Sequence, residues 1–402
     1  MRGFRTKQRA GGAIGSEPGG DGDATVQLLA GWGRTMPSAA TVVRRRADDF
    51  AGLGDVVHTA PPRGIVVRGL GRSYGDSAQN GGGVALVLDD PPDAIAIDPV
   101  TATVSVAGGV SLDDLLRVTV PAGLFVPVTP GTRSVTVGGA IASDIHGKNH
   151  HVDGTFGRHV AGITLLLADG SVVDVDPDHQ PELFWATVGG MGLTGAILRA
   201  TVWMLPIETS RCSVDTERIA DLDALLERME ADDESFRYSV AWIDLMARGR
   251  ALGRSVLTRG DHARVEELAP RQAGDPLDYR PGHLVTVPPT MPSHGLLNHA
   301  SIAAFNEAWF RKAPRRRVGQ IVSIPSFFHP LDMVGHWNRL YGRQGFLQYQ
   351  FVVPFGAEAT LRTVVERLAE SGTASFLAVL KRFGAANPAP LSFPKPGWTL
   401  AR

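Results

Sequence analysis

From Thr25 onward, short β-branched runs alternate with glycine turns. Gly64-Ile-Val-Val-Arg68, Val84-Ala-Leu-Val-Leu88, Ala102-Thr-Val-Ser-Val106 and Ile163-Thr-Leu-Leu-Leu167 predict strands, because branched side chains suit a pleated, half-buried surface. Ser111-Leu-Asp-Asp-Leu-Leu-Arg117 predicts a helix with a serine N-cap and an acidic first turn. Ala168-Asp-Gly170 is a hairpin signal between two strands. A strand from Ala196 to Leu205 ends at Pro206, and Leu222 to Met229 has helical spacing. The pattern predicts an α+β fold without strict βαβ alternation. It divides the chain near residue 208 into a domain over 25–207 and a second domain over 208–402.

The second region is richer in aromatics and prolines, and Pro281 to Gly295 lacks periodicity, as a mobile lid would. Gly345-Phe-Leu-Gln-Tyr-Gln-Phe-Val-Val353 alternates so that Gln348 and Gln350 share one face of a strand. Such a face either lines a polar pocket or is the solvated side of an edge strand. Lys381, read alone, is a solvated strand residue. Arg311-Lys-Ala-Pro-Arg-Arg-Arg317, beside Trp309 and Phe310, reads as a solvated basic loop, with anionic lipid head groups as its alternative partner.

Two glycine-rich stretches carry the candidate chemistry. In Arg68-Gly-Leu-Gly-Arg-Ser-Tyr-Gly-Asp76, glycines let backbone N–H groups turn toward one point, a nest able to hold a diphosphate. A Rossmann loop would open a helix, whereas this one runs through Asn80-Gly-Gly-Gly83 into another strand, which argues against a nicotinamide dehydrogenase. The nucleotide would be held by loops without a helix dipole; a plain tight turn is the competing reading. In Pro130 to His150, Gly138 and Gly139 permit close backbone approach, while Ala140 and Ala142 leave room for a flat ligand. Two such loops suit a dinucleotide. His146, His150 and His151 are too poor in neighbouring carboxylates to make a metal site, so no metal is expected.

Length and composition change this picture little. A chain of 402 residues exceeds one hydrophobic core, and 43% hydrophobic with 20% charged residues is ordinary for a globular protein. A net charge of -1 gives no broad reason to bind nucleic acid. The single cysteine, Cys212, excludes an internal disulfide and cysteine-built metal sites. No apolar run reaches the ~20 residues of a membrane span. Met1 to Asp23, basic and then glycine-rich without a signal-type apolar stretch, predicts a disordered extension over 1–24 and leaves a cytoplasmic location by sequence.

The two loops together resemble the FAD-binding domain of the vanillyl-alcohol-oxidase and para-cresol-methylhydroxylase (PCMH-type) superfamily. The resemblance runs from Gly31-Trp-Gly-Arg-Thr35 to Trp398. It is carried by Gly-Leu-Gly-Arg-Ser-Tyr-Gly-Asp76, Val-Gly-Gly-Ala-Ile-Ala-Ser-Asp-Ile-His-Gly-Lys-Asn-His-His151, Glu-Leu-Phe-Trp-Ala-Thr-Val-Gly-Gly190, His-Pro-Leu-Asp-Met333, Gly-Phe-Leu-Gln-Tyr-Gln350 and Pro-Leu-Ser-Phe-Pro394. Within the superfamily the pattern is similar to oxidases that convert the 2′-hydroxyl of a polyprenyl-phosphate-linked ribose to a ketone, for cell-wall arabinan precursors. Aldonolactone and alditol oxidases are the neighbouring alternative.

The resemblance implies a two-domain PCMH-type α+β fold, with the FAD-binding domain over 25–207 and an antiparallel-sheet substrate-binding domain over 208–402 that lacks the C-terminal return segment. It implies FAD contacts from Gly69, Leu70, Gly71, Arg72, Ser73, Tyr74, Gly75, Asp76 and Asn80, and from Gly131, Thr132, Thr136, Val137, Gly138, Gly139, Ser143, Ile145, His146 and Gly147, with Ile197 near the adenine. The superfamily's flavin-tethering histidine is replaced by Arg72-Ser-Tyr-Gly75, implying non-covalent FAD. The implied sugar pocket comprises His146, Lys148, Gln348, Gln350, Lys381 and Tyr74. A separate NAD(P)-dependent short-chain reductase as partner, and peripheral contact with the inner membrane or a periplasmic location, follow from the same likeness.

This sequence departs from that pattern at Phe328, where a tyrosine is common, at Thr399 in place of an asparagine and at Ala401 in place of a cysteine. The family's chain continues past the Pro-Gly-Trp strand and returns to the flavin domain with a lysine. Ending at Arg402, this sequence predicts a truncated or frame-shifted copy, an interrupted last strand, an unpaired sheet edge, and impaired catalysis or a flavin-binding pseudoenzyme.

Overall fold

A computed structural model describes residues 24–373, 375 and 377–402. The extension expected over 1–24 lies outside the described residues except for Ala24. Strands before Pro206 form a four-stranded and a five-stranded sheet. In the first, Ser38–Arg46, Val84–Asp89 and Ile65–Val67 run parallel, with Thr25–Leu29 antiparallel on the outside. Parallel pairing demands a crossover, and the helix Phe50–His58 lies on the stretch of chain between two of these strands. The second sheet is antiparallel, ordered Ile95–Asp98, Thr103–Ala107, Ala196–Trp203, Val160–Leu166, Val172–Val175.

Local chemistry explains several of these elements. The Ser111 hydroxyl accepts from the Asp114 N–H at 3.0 Å to start the helix Leu112–Thr119, which buries Leu112, Leu115, Leu116 and Thr119 on one face. Losing such a cap costs about 1 kcal/mol. The hairpin at 168–170 turns on Gly170 at φ 83°, with Asp169 accepting from the Ser171 N–H at 2.9 Å.

Residues after 208 build a seven-stranded antiparallel sheet. Its order is Arg316–Ser323, Arg211–Ile219, Ser255–His262, Tyr238–Ile243, Val379–Phe383, Gly397–Ala401, Gln350–Val353. Alternation along its central strands decides what each residue meets. Ala241, Leu380, Trp398, Leu400 and Val353 join a core with Leu222, Leu225 and Met229 of one helix and Leu361 and Val365 of another. On the strands' other face, Val240, Val379, Lys381, Ala401 and Gln350 border a large cavity. Cys212, Val214, Tyr238 and Phe328 belong to the same core as Phe125, Val137 and Ile197, so apolar packing is continuous across residue 208.

Three expectations are corrected. The last strand is not an unpaired edge: Gly397–Ala401 bonds to Val379–Phe383 on one side and Gln350–Val353 on the other, and every residue in it is buried. The strand predicted from Gly345 begins only at Gln350, after the chain has turned at Gly345, φ 68°. Gln348 therefore lies in the preceding exposed segment and not on a shared strand face. The basic stretch is not one loop: Arg311 and Lys312 end the helix His299–Lys312, and Arg316–Ser323 is an exposed edge strand. Phe310 sits under the guanidinium groups of Arg218 at 5.5 Å and Arg254 at 4.7 Å.

Candidate active site

The cavity between the N-terminal sheets and the seven-stranded sheet has a volume of about 1130 Å³. That exceeds the ~300–1,000 Å³ of a site for one drug-sized ligand.

Its N-terminal wall is made of backbone. Gly69 to Tyr74 form one stretch, and Gly131, Thr132, Thr136, Gly139, Ser143, Ile145, His146 and Gly147 line another. Among the described residues, no N–H from Gly69 to Tyr74 donates to a protein acceptor. Backbone donors away from water are almost always paired, so the free ones of buried Gly71 and half-buried Arg72, Ser73 and Tyr74, continuing the exposed pair at Gly69 and Leu70, call for an oxygen-rich ligand. Packing behind them is tight. A Cβ on Gly69 would stand 2.4 Å from Thr136 Oγ1, and one on Gly31 only 2.1 Å from the Gly75 carbonyl oxygen. Gly71 needs φ 63°.

The second glycine stretch differs from the expected loop. Val137–Ala142 is a short helix capped by the Thr136 hydroxyl, which accepts from the Gly139 N–H at 3.1 Å. Val137 N–H donates to Val110 O and Gly138 N–H to Gly108 O, both at 2.9 Å, so none of the three first-turn donors is free for a phosphate. Six residues expected at the cofactor do not line the cavity: Gly75, Asp76, Asn80, Val137, Gly138 and Ile197. The Asn80 amide donates to Gly64 O at 2.9 Å, shaping the turn. Val137 and Ile197 are core residues, and a Cβ on Gly138 would meet Gly108 O at 3.0 Å, so this glycine serves helix packing.

Side chains from both regions complete the cavity. Lys381 Nζ lies 3.2 Å from His146 Nδ1 and donates to Gly147 O at 3.3 Å. Gln350 Nε2 lies 3.1 Å from His146 Nε2 and 3.0 Å from the Thr399 hydroxyl, which donates to Phe351 O. His146 is thus gripped on both ring nitrogens, with Phe383 against its edge at 4.7 Å. His150 Nδ1 accepts from Gly384 N–H, and His151 Nε2 faces two backbone carbonyls, so neither shares a ligand set with His146. Lys148 Nζ sits 4.9 Å above the Phe327 ring. Tyr74 packs against Phe346 at 5.2 Å and Trp337 at 6.4 Å, and Gln348 reaches the rim. Arg72 stacks on Trp32 at 3.8 Å, with its Nε buried and unpaired.

Burial governs the charges. It holds Lys381 down at about 7, with the neighbouring Lys148 charge adding to the shift, and Lys148 at about 8. Burial, then the Lys381 charge, keeps His146 well below the ordinary imidazole range, while Tyr74 is pushed up to about 12. Protonated Lys381 donates to Nδ1, leaving the imidazole proton on Nε2 and calling for the Gln350 oxygen there; neutral Lys381 reverses both roles. The trio can therefore take a proton from a substrate hydroxyl, gaining one positive charge that rests on Lys381, or return it. Cations Arg72, Lys148, Lys381 and Arg402 outnumber the carboxylates Asp144 and Asp332 around the cavity, which suits an anionic ligand.

An FAD binding domain model matches residues 48–176. Decaprenylphosphoryl-beta-D-ribose oxidase of Mycolicibacterium smegmatis is 45% identical over 380 residues, covering 94% of this chain and 82% of that protein. The chain belongs to the decaprenylphosphoryl-β-D-ribose oxidase family. A Streptomyces coelicolor protein encoded in the mprA 5′ region is 40% identical over 73% of this chain and 80% of its own length. The alditol oxidase of a Streptomyces species is 30% identical over 44% of this chain and 41% of its own. The chain is thus an FAD-dependent oxidoreductase of this family.

Against that family's pattern, Phe328 is buried on Tyr238 and Phe125 at 4.7 and 5.0 Å, a position where a hydroxyl would need a partner. Thr399 keeps a hydroxyl on Gln350, and Ala401 pairs opposite Gln350. Reading by motif also passed over residues that hold the site together. Asp144 is buried and accepts from Gly157 N–H at 2.9 Å and Asn387 at 2.7 Å. Asp332 borders the cavity from the far region. Both stand inside motifs the sequence displays, but nothing local marks what they bind.

Proposed function

We propose that the cavity binds FAD non-covalently and oxidises the 2′-hydroxyl of a polyprenyl-phosphate-linked ribose, the class of substrate named by the Mycolicibacterium relative. The row of free N–H groups from Gly69 to Tyr74 carries this reading, since it offers a diphosphate its donors. FAD, when bound, supplies the two-electron acceptor. Arg72, standing where the superfamily tethers flavin through histidine, has no nucleophilic nitrogen to form that link. His146, Gln350 and Lys381 receive the hydroxyl proton, and Lys148 with Lys381 offsets the substrate's phosphate charge. Tyr74 completes the sugar side, with exposed Gln348 at its rim. Glycine positions 75, 138 and residues Asp76, Asn80, Val137 and Ile197 shape the loops from behind.

The chain divides functionally into a flavin-holding part over 25–207 and a substrate-facing part over 208–402. A ketone product calls for a separate nicotinamide-dependent reductase to restore a hydroxyl. Among the described residues no helix is long and apolar enough to cross a membrane, so a lipid-linked substrate would be met by peripheral contact. The test is the visible absorbance of the purified protein under anaerobic conditions. Yellow protein that bleaches on adding lipid-linked ribose supports the reading; bleaching by a soluble polyol instead redirects it to alditol oxidation, and colourless protein that takes up no FAD ends it.

A further inference from the structure

Asp332 reaches across the cavity from the short turn Pro330–Met333. One of its carboxylate oxygens accepts from the Thr132 hydroxyl at 2.6 Å, the other from the Arg133 N–H at 2.7 Å, with Arg133 Nη1 3.6 Å away. Arg133 is buried and also pairs with Asp113. Thr132 therefore has its only proton committed to Asp332, while one lone pair accepts from the Ser134 N–H at 3.1 Å. A hydroxyl has one proton and two lone pairs, so Thr132 has a single acceptor site left. Thr132 and Asp332 both border the cavity. The same turn holds the segment covering the cavity: Asp332 O faces His283 Nδ1 at 2.5 Å, and Met333 O accepts from Leu284 N–H at 2.8 Å.

We propose that Asp332 is a positioning residue that fixes the polarity of Thr132, so that this hydroxyl shows a bound ligand an acceptor and never a donor. The inference rests on the FAD reading, because it assigns Thr132 to a donor group of that cofactor. Asp332 touches the wall and not the reacting atoms. Its removal frees the Thr132 proton to point either way, so this hydroxyl loses its selectivity for a donor.

The test is a fluorescence titration of FAD into flavin-stripped protein for the wild type, Asp332→Asn, Thr132→Val and the double variant, with the bound flavin's absorbance bands recorded each time. Each single change is expected to raise the FAD Kd about tenfold, and the double variant to bind no worse than the weaker single, because both remove one interaction. The two singles should shift the flavin bands alike, and Thr132→Ser should restore both readings. Thr132→Val leaves the Asp332 contacts with Arg133 in place, so it decides the matter even where Asp332→Asn unfolds the protein. Wild type that binds FAD beside a Thr132→Val variant of equal affinity and spectrum overturns the inference alone. Additive losses in the double variant overturn it too. Wild type that binds no FAD overturns both the cofactor reading and this one.

Discussion

Residues before Pro206 bring the cavity a row of backbone N–H groups, Gly69 to Tyr74, beside side chains such as His146 and Lys148, while residues beyond 208 meet it with strand side chains such as Lys381 and Gln350. Parts of the backbone wall tolerate no added atom: a Cβ on Gly69 would stand 2.4 Å from Thr136 Oγ1, and one on Gly147 2.9 Å from the Thr129 carbonyl oxygen. The side-chain wall is spaced by the sheet and tuned by charge. A wall that binds by backbone resists change in size, and one that binds by side chain resists change in chemistry.

The largest effect expected from breaking this contrast is at Gly31. Gly31→Ala sets a Cβ 2.1 Å from Gly75 O and 2.5 Å from Ser73 O, neither able to swing aside. Urea unfolding should show a loss of about 3 kcal/mol, at the upper end for overpacking. Next, Lys381→Met should leave FAD uptake intact and slow substrate-driven flavin reduction about 100-fold, read by anaerobic stopped flow. Equal loss of FAD binding would show that the two walls are not separable. Gln350→Ala, which releases His146 Nε2 and the Thr399 hydroxyl, should cost about tenfold in the same assay.

A gentler test uses pH. Lys381 is held at about 7 in the folded protein against an ordinary 10.5, so the unfolded chain binds more protons between those values. Stability should rise with pH across that window, and the slope should flatten in Lys381→Met. His150 and His329, both depressed to about 3 by burial, act on the acid side: stability is complete above their ordinary 6.5 and is lost as pH falls toward 3. Denaturation midpoints at several pH values check both slopes. The smallest expected effect is at Gln348, exposed on the segment before the strand: Gln348→Ala should stay within about twofold of wild type.

Legibility followed the same division. The N-cap at Ser111, the hairpin at Gly170 and the glycine run at 69–75 were readable because each answers a local demand on backbone angle or donor pairing. The helix at Val137–Ala142 was hidden by its own glycines, whose low helix propensity is overridden by packing against Gly108. The parallel pairing of Ser38–Arg46 with Val84–Asp89 left no mark in a pattern that reads strands one at a time. Gln348 and Gln350 look equivalent by alternation, yet only Gln350 is in the ladder, because Tyr349 is the first residue to exchange hydrogen bonds with Arg402.

By itself the sequence determined an α+β chain with two glycine cradles, and its motifs pointed to an FAD-binding oxidoreductase. Only the tertiary structure decided that His146 would be held by Gln350, 204 residues on, and by Lys381, 235 residues on, or that Asp332 would reach Thr132. Glycine's conformational freedom is a property of the residue and its immediate neighbours. The partners of a buried imidazole or carboxylate depend on which strand lies beside which and which face turns inward, and those follow from the packing of the whole chain.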